Sequence, residues 1–228
     1  MNYYGFEVVD DPMYHRLLKN NVDYTIQDID KMSTIIKEYI PEKKVALDIG
    51  CHYGFFTKFL SEQFKTVHAF DFPNDVFQCL QNNVKTFKMD NVTLYPFGLG
   101  EANKKVGTND IFRRKEKGVV FTKRGRLGTH VVPVSNKKAI YEIKKLDDLN
   151  LENINLMMID TEGYELYVLQ GAVKTIKKFK PVLVLEFHNR LLTRKFGYRL
   201  SYLEQFVKDL GYKPIGFINQ VDRVFVRK

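Results

Sequence analysis

Short apolar runs alternating with amphipathic stretches constrain this chain more than any other feature. Val45 to Ile49, Thr66 to Phe70, Val92 to Phe97, Ile154 to Ile159 and Pro181 to Phe187 read as strands. Helical spacing runs over Asp28 to Ile40, Phe55 to Phe64, Tyr164 to Phe179 and Ser201 to Leu210. In the first of these, Ile29, Met32, Ile35, Ile36, Tyr39 and Ile40 form the apolar set, and Pro41 closes the helix. A further helix starts at Pro73-Asn74-Asp75, with Asn74 as N-cap and Val76, Leu80, Val84 and Phe87 on its apolar side. Parallel strands need crossover connections, usually helices, so this alternation predicts an α/β, Rossmann-like fold with helices on both faces of a mostly parallel sheet. Two closing strands, Lys213 to Phe217 and Arg223 to Val226, flank a turn at Asn219 to Asp222. They read as a C-terminal β-hairpin that brings the sheet to seven strands and adds an antiparallel one.

The rhythm breaks once, over residues 100–140, where Gly, Lys and Arg dominate and only Gly118 to Thr122 and His130 to Val134 are β-like. Between Lys104 and Lys145, 13 basic residues face Asp110, Glu116 and Glu142, a local balance of +10 against +9 for the whole chain. The rest is therefore close to neutral, and the excess marks either a local surface for an anionic partner or a solvated loop. At 228 residues the chain fits a single domain, 1–228, with an N-terminal helical segment over 1–41 and this basic excursion inserted on the acceptor side. Such a length buries about 70% of the unfolded surface without disulfide staples. Cys51 and Cys79 have no metal-ligand spacing and read as reduced thiols of a cytoplasmic protein. No basic region followed by an apolar stretch opens the chain, and no apolar run approaches the roughly 20 residues needed to span a bilayer.

The predicted strand ends carry the chemistry. In open α/β sheets, ligands bind outside the carboxyl ends of strands, where strand order reverses. After Val45-Ala46-Leu47 comes Asp48-Ile49-Gly50-Cys51-His52-Tyr53-Gly54, then Phe55. Gly50 permits a sharp turn and Gly54 a close approach of the following helix to a ligand. The three-glycine dinucleotide fingerprint is absent, and an acid before the first glycine would repel a pyrophosphate. That acid, Asp48, suits a cation instead: the amino group or sulfonium of S-adenosylmethionine. Asp71, about 20 residues beyond Gly50, can accept both ribose hydroxyls of an adenosine, the role such acids play in dinucleotide folds. Phe72 and the third strand end, with Phe97 and Gly98, offer aromatic surface and backbone polar groups for the adenine.

The fourth strand runs into Asp160-Thr161-Glu162-Gly163-Tyr164-Glu165. Two carboxylates two residues apart at a strand end can serve as helix capping, since a helix N-terminus favours negative charge. They can also serve chemistry, with Asp160 facing the transferable group and the incoming nucleophile while Glu162 orients or deprotonates that nucleophile. The fifth strand ends in Glu186-Phe187-His188. His188 would project at the same rim, as a core polar group or as a general base whose ordinary pKa suits proton transfer near neutral pH. Asp160, Glu162 and His188 do not make a metal set, and no metal is expected.

Ala46-Leu47-Asp48-Ile49-Gly50, the block from Asp160-Thr161-Glu162-Gly163 through Leu169-Gln170-Gly171-Ala172, and Leu183-Val184-Leu185-Glu186-Phe187-His188 together resemble the FkbM family of methyltransferases. Lys145-Leu146-Asp147-Asp148-Leu149 is similar to the same family. The resemblance spans roughly Val45 to His188 and implies a class I methyltransferase fold that uses S-adenosylmethionine, commonly for O-methylation of a sugar or secondary-metabolite hydroxyl. Many relatives carry Glu-Pro at the second strand end, where this chain has Asp71-Phe72-Pro73. The leading expectation is an O-methyltransferase acting on a small-molecule or glycan acceptor, an anionic one included, whose phosphates would meet Arg113, Arg114, Lys123, Arg124 and Arg126. An RNA ribose or base methyltransferase is the second reading. Phe112 and Phe121 alone give few stacking platforms for a single strand. A cofactor-binding module without catalysis comes third, and an NAD-dependent oxidoreductase last.

Overall fold

The computed structural model describes residues 1–10, 12–20, 25–107, 140–187 and 196–227. His188, the β-like pieces at 118–122 and 130–134, and the named cationic residues of the basic excursion lie outside the described residues.

The chain opens with a small hairpin, β1 (Asn2–Tyr3) and β2 (Phe6–Glu7), followed by α1 (Pro12–Lys19) and α2 (Thr25–Tyr39). The central run is β3 (Val45–Ile49), α3 (Phe55–Gln63), β4 (Thr66–Phe70), α4 (Asp75–Thr86) and β5 (Val92–Tyr95). Next come β6 (Gly98–Leu99), β7 (Lys104–Gly107) and β8 (Ile140–Lys144), then a 3-10 turn over Leu146–Asp148. The remainder is β9 (Ile154–Ile159), α5 (Glu165–Gln170), α6 (Val173–Phe179), β10 (Val182–Glu186), α7 (Leu200–Asp209), β11 (Tyr212–Phe217) and β12 (Asp222–Arg227).

Seven strands form the main sheet in the order β11-β12-β10-β9-β3-β4-β5. Pairs β10–β9, β9–β3, β3–β4 and β4–β5 are parallel, and β12 runs antiparallel between β10 and β11. The expected mostly parallel sheet with a closing hairpin is present. Its central strands are nearly continuous apolar runs because both faces are covered. Leu47, Ile49, Met157, Ile159, Leu183 and Leu185 pack on one side with Leu166, Leu169, Ile176 and Leu203. The alternate residues Ala46, Leu156, Met158, Val182 and Val184 pack on the other with Met32, Ile36, Leu60 and Phe64. Each such side chain contributes about 1.5–3 kcal/mol when fully buried. Asn155 interrupts the apolar run of β9 for a reason: its Oδ1 accepts the amides of Lys44 at 3.0 Å and Val45 at 3.2 Å.

Strand order reverses between β3 and β9, because the chain fills one side through β4 and β5 before returning to place β9 on the other. This is the position at which a doubly wound sheet opens a crevice.

Three departures from the sequence reading have physical causes. The single helix expected over 164–179 is two helices, α5 and α6, because the Gly100 backbone enters at the junction: a Cβ on Gly171 would lie 1.9 Å from the Gly100 carbonyl oxygen. The third strand ends at Tyr95, and Gly98–Leu99 instead joins a small sheet of order β6-β8-β7. The segment expected to be helical over 1–41 also contains the β1–β2 hairpin, whose two-residue strands are too short to show a period. Among the described residues no helix is long and apolar enough to cross a membrane.

Candidate functional site

Among the described residues, those singled out in the sequence lie at or just beyond the carboxyl ends of β3, β4, β5 and β9, with the reversal point between β3 and β9. The loop after β3 turns through three left-handed residues, Gly50 (φ 88°), His52 (φ 51°) and Gly54 (φ 86°). At Gly50 the requirement is absolute, since a Cβ would lie 1.8 Å from the carbonyl oxygen of Asp160. At Gly54 a Cβ would meet the Leu80 Cδ1 methyl at 2.6 Å, which would have to turn aside, and the positive φ itself disfavours any side chain. His52 carries a Cβ in the same region of backbone space, a strain of order 1 kcal/mol or more that its surroundings must hold in place.

Asp71 provides that hold. Its Oδ2 accepts the His52 amide at 2.8 Å and its Oδ1 the Phe72 amide at 2.7 Å. Burial pushes its carboxyl above the ordinary aspartate value, and the two amide bonds act against that shift. A carboxylate offers about four lone-pair sites, so those not used by the amides are left in a fixed orientation beside the turn. Phe72 follows with its ring on Gly98, where a Cβ would meet the ring at 2.5 Å, and 5.2 Å from the Tyr141 ring. Phe97 is turned into the core, with its ring 5.9 Å from that of Phe70.

Asp48, the acid expected to suit a cation, is covered. It is 3% exposed, and the Thr57 hydroxyl of α3 donates to its Oδ2 at 2.5 Å. Burial raises its pKa to about 7, with the Thr57 bond opposing and the charge of Asp71 adding to the shift. Cys51 is also committed to packing: it is buried with Ala69, Phe77 and Leu80, and burial raises its thiol pKa well above the usual value. Both cysteines are free. The Phe55 ring belongs to the N-terminal layer, 4.6 Å from Phe6 and 5.8 Å from Tyr3. The Cys51 and Phe55 side chains are thus engaged in packing, while the His52 amide is held by Asp71.

A layer that the sequence did not reveal backs this loop. Tyr3, Val8, Tyr14 and Leu17 pack with Tyr53 and Val76. Asn83, buried on α4, donates to the carbonyls of Glu7 and Tyr53, both at 2.9 Å, and accepts the Glu7 amide at 2.6 Å. One amide side chain thus joins the N-terminal hairpin to the turn.

The second half of the site is the loop after β9. Asp160 opens to solvent at the strand end, followed by Glu162 (φ 55°) and Gly163 (φ 101°) in left-handed conformations. Glu165, fully buried, organises the loop: its Oε1 accepts Thr161 N at 3.0 Å, Thr161 Oγ1 at 2.9 Å and Gly163 N at 3.0 Å. The Tyr198 hydroxyl donates to the Gly163 carbonyl at 2.9 Å from the other side. The sequence reading gave Glu165 no role, although a threonine followed by an acid at a helix start is a near-variant of the capping box.

Glu186 and Asp222 complete the setting; from the sequence Glu186 could orient His188 or lie on the other face, and Asp222 only bounds a turn. They are directly paired across the β10–β12 ladder, and both are buried. Asn219 Nδ2 donates to Asp222 at 2.6 Å and to Asp28 at 3.0 Å. Burial, countered by that Asn219 bond, pushes Asp222 up to about 6. Asp160 lies well above the ordinary aspartate value: surrounding protein raises it, and the carboxylates of Asp222, Glu162 and Glu165 add to the shift. Five acids therefore converge on one end of the sheet, a place rich in proton acceptors and unfavourable to phosphate. Among the described residues no three His, Cys, Asp or Glu side chains are grouped to hold a metal ion.

A model of the methyltransferase FkbM domain matches residues 48–214, most of the chain. No curated protein matches it in sequence. Among solved structures, methyltransferase FkbM from Methylobacillus flagellatus is similar at 17% identity and a TM-score of 0.55, over 81% of this chain but 43% of that one. This chain thus spans under half the length of that relative. A methyltransferase from Streptococcus mutans in complex with SAH is similar at 14% identity and TM-score 0.51, covering 87% of this chain and 95% of the other. An rRNA methylase from Clostridium thermocellum is similar at 13% identity and TM-score 0.50, over 88% and 95%. At these identities the structural likenesses establish a shared fold, that of class I methyltransferases.

Proposed function

Since this chain belongs to the FkbM methyltransferase family, we propose that it uses S-adenosylmethionine to methylate a hydroxyl group of a sugar or glycan. The observation that carries this reading is the pairing of two strand ends: a carboxylate fixed by two amides at β4, and a base-rich rim at β9 and β10. Asp71 would accept the ribose hydroxyls of the cofactor, with the turn at Gly50 beside it. Phe72 on Gly98 would flank the adenine. Asp48 would bias the loop toward a cation through its field, from beneath the turn and not by contact. When bound, S-adenosylmethionine would supply an electrophilic methyl group.

A hydroxyl acceptor must lose its proton, and a placed base typically contributes about 10²–10⁴-fold. Asp160 is the exposed acid of the rim, open to an acceptor's hydroxyl and able as a carboxylate to take its proton. Glu162 and His188 are the further candidates for orienting or deprotonating the acceptor. Orientation alone can contribute up to roughly 7–11 kcal/mol when geometry is ideal. The same acids disfavour a phosphodiester at the reacting end, which supports a sugar hydroxyl over RNA. Phosphates on a glycan or nucleotide-linked sugar would have to lie away from the rim, toward the basic excursion.

The test is calorimetric titration with S-adenosylmethionine, with Asp71→Ala and NADH as controls, followed by a labelled-methyl screen of sugars, nucleotide-linked sugars and rRNA. Micromolar binding lost in the variant, then label on a sugar, supports the reading. Binding followed by label on rRNA replaces the acceptor class. Absence of binding at millimolar cofactor overturns the reading.

A further inference from the structure

Glu186 is 4% exposed, and its Oε2 finds no hydrogen-bond partner among the described residues. An ionised carboxylate left in that state would be costly, because a buried charge without a partner forfeits its hydration. The carboxyl groups near it are those of Asp160, which follows the neighbouring strand, and of Asp222, directly opposite on β12. The sheet enforces this approach. Leu185 is in parallel register with Ile159, so the next residues on the two strands, Glu186 and Asp160, leave the sheet side by side.

Two carboxyl groups can hydrogen-bond only if one of them carries a proton, since ionised carboxylates are acceptors alone. The surroundings decide which holds it. Glu186 is buried and faces Asp160, Glu162 and Glu165 from β9 and α5, and Asp222 from β12, all acids that penalise its ionisation. Asp160 opens to solvent at the rim. We propose that Glu186 is a neutral carboxylic acid that donates a hydrogen bond to Asp160, a positioning residue that keeps Asp160 ionised and aimed as the base taking the acceptor's proton. This rests on the methyl-transfer reading above and goes further by selecting Asp160 over Glu162 and His188. In that step the acceptor's O–H bond breaks, its electron pair stays on oxygen, and the proton bonds to a carboxylate oxygen of Asp160, which later releases it to water.

The arrangement follows a general rule for paired carboxyls: two acids in contact cannot both ionise, so their protons leave in two well-separated steps. Burial and the neighbouring acids move Glu186 far above the ordinary glutamate range, in the direction the geometry requires.

The test is carbon-13 NMR of selectively labelled glutamate carboxyls in the intact protein, titrated from about pH 4 to about pH 8, beyond the ordinary glutamate range. Wild type and Glu186→Gln are compared. One resonance that stays in the neutral position across this range and vanishes in the variant supports the proposal. Titration of every glutamate below about pH 6 overturns it. This readout needs neither cofactor nor acceptor, so it stands or falls separately from methyl transfer. Once an acceptor is known, Glu186→Gln, which retains an N–H donor for Asp160, keeps kcat within about tenfold with an altered acid limb. Asp160→Asn falls by 10²-fold or more, as loss of a base would require. A Glu186→Gln protein that binds S-adenosylmethionine normally yet loses activity as completely as Asp160→Asn also overturns the proposal, because Glu186 would then have to be ionised to act.

Discussion

The carbonyl oxygen of Asp160 occupies the space where a side chain on Gly50 would begin, 1.8 Å from the ideal Cβ position. The two strand ends on either side of the reversal point are therefore in backbone contact, and Gly50 also sits at φ 88°. Gly50→Ala cannot be absorbed by a rotamer change, since the clash is with main chain. A loss of more than about 2 kcal/mol in unfolding free energy is expected, from strain at a left-handed position plus displacement of the strand end. Urea denaturation checks it, and a variant with wild-type midpoint would contradict the close approach.

Asp71 is expected to discriminate between two conservative changes. Asp71→Asn replaces one accepting oxygen by an N–H₂ group facing an amide N–H, so it loses either the His52 or the Phe72 bond. Asp71→Glu retains the charge but moves it by one methylene. Both should weaken S-adenosylmethionine binding by roughly 10–100-fold, with Asn also costing about 1–3 kcal/mol of stability for the unpaired donor. Calorimetry and thermal denaturation on the same samples separate the two effects.

The buried Asp48 makes stability and cofactor affinity respond oppositely to pH. Its pKa is raised to about 7 in the folded protein from an ordinary value of 3.8. The folded state therefore binds the proton more tightly than the unfolded state. Its contribution is fully present below the unfolded value and is lost as pH rises toward the folded one. A cationic ligand favours the ionised form, so cofactor affinity should rise over the same window. Comparing wild type with Asp48→Asn at about pH 5 and about pH 8 isolates this group from Asp222 and Glu186. The variant should lose part of both trends, and unchanged pH dependence would remove Asp48 from the account.

Asn83 makes three hydrogen bonds from within the fold, two of them to the N-terminal hairpin at Glu7 and one to the turn at Tyr53. Asn83→Ala leaves those groups unpaired and should cost about 2–4 kcal/mol, a sum of individual losses of about 1–3 kcal/mol that are not fully additive. The sharper expectation is local. Hydrogen exchange at residues 2–8 should accelerate more than in β9, because the hairpin loses its anchor while the sheet does not.

Periodicity located every strand of the main sheet, because strands buried on both faces or paired at an edge show their apolar runs directly. Boundaries drifted where a contact distant in sequence set them. The break between α5 and α6 is imposed by Gly100, and nothing within 164–179 announces it beyond Gly171 itself. At the site, Gly50, Gly54, Asp71 and Asp160 were legible from strand ends followed by glycines or acids. The covered state of Asp48 was not, since Thr57 lies on the next helix and its approach depends on how that helix packs. The burial of Glu165, Glu186 and Asp222 was hidden for a related reason. A buried acid looks in sequence like any surface acid until the neighbours that surround it are known.

Gly107 and Ile140 are directly opposite one another in the β7–β8 ladder. In an antiparallel pair such residues are about 4.5–5.5 Å apart, so the chain leaves this sheet and returns to it through a single doorway. At the other end of β8, Gly100 N donates to the Lys144 carbonyl at 2.9 Å and Lys145 N to Asn103 Oδ1 at 2.8 Å. The frame that carries residues 108–139 is thus closed before that segment begins. A tight hairpin turn can span such a gap with two residues, so the β7–β8 pair can be closed by a connection of any length without displacing the sheet that frames it.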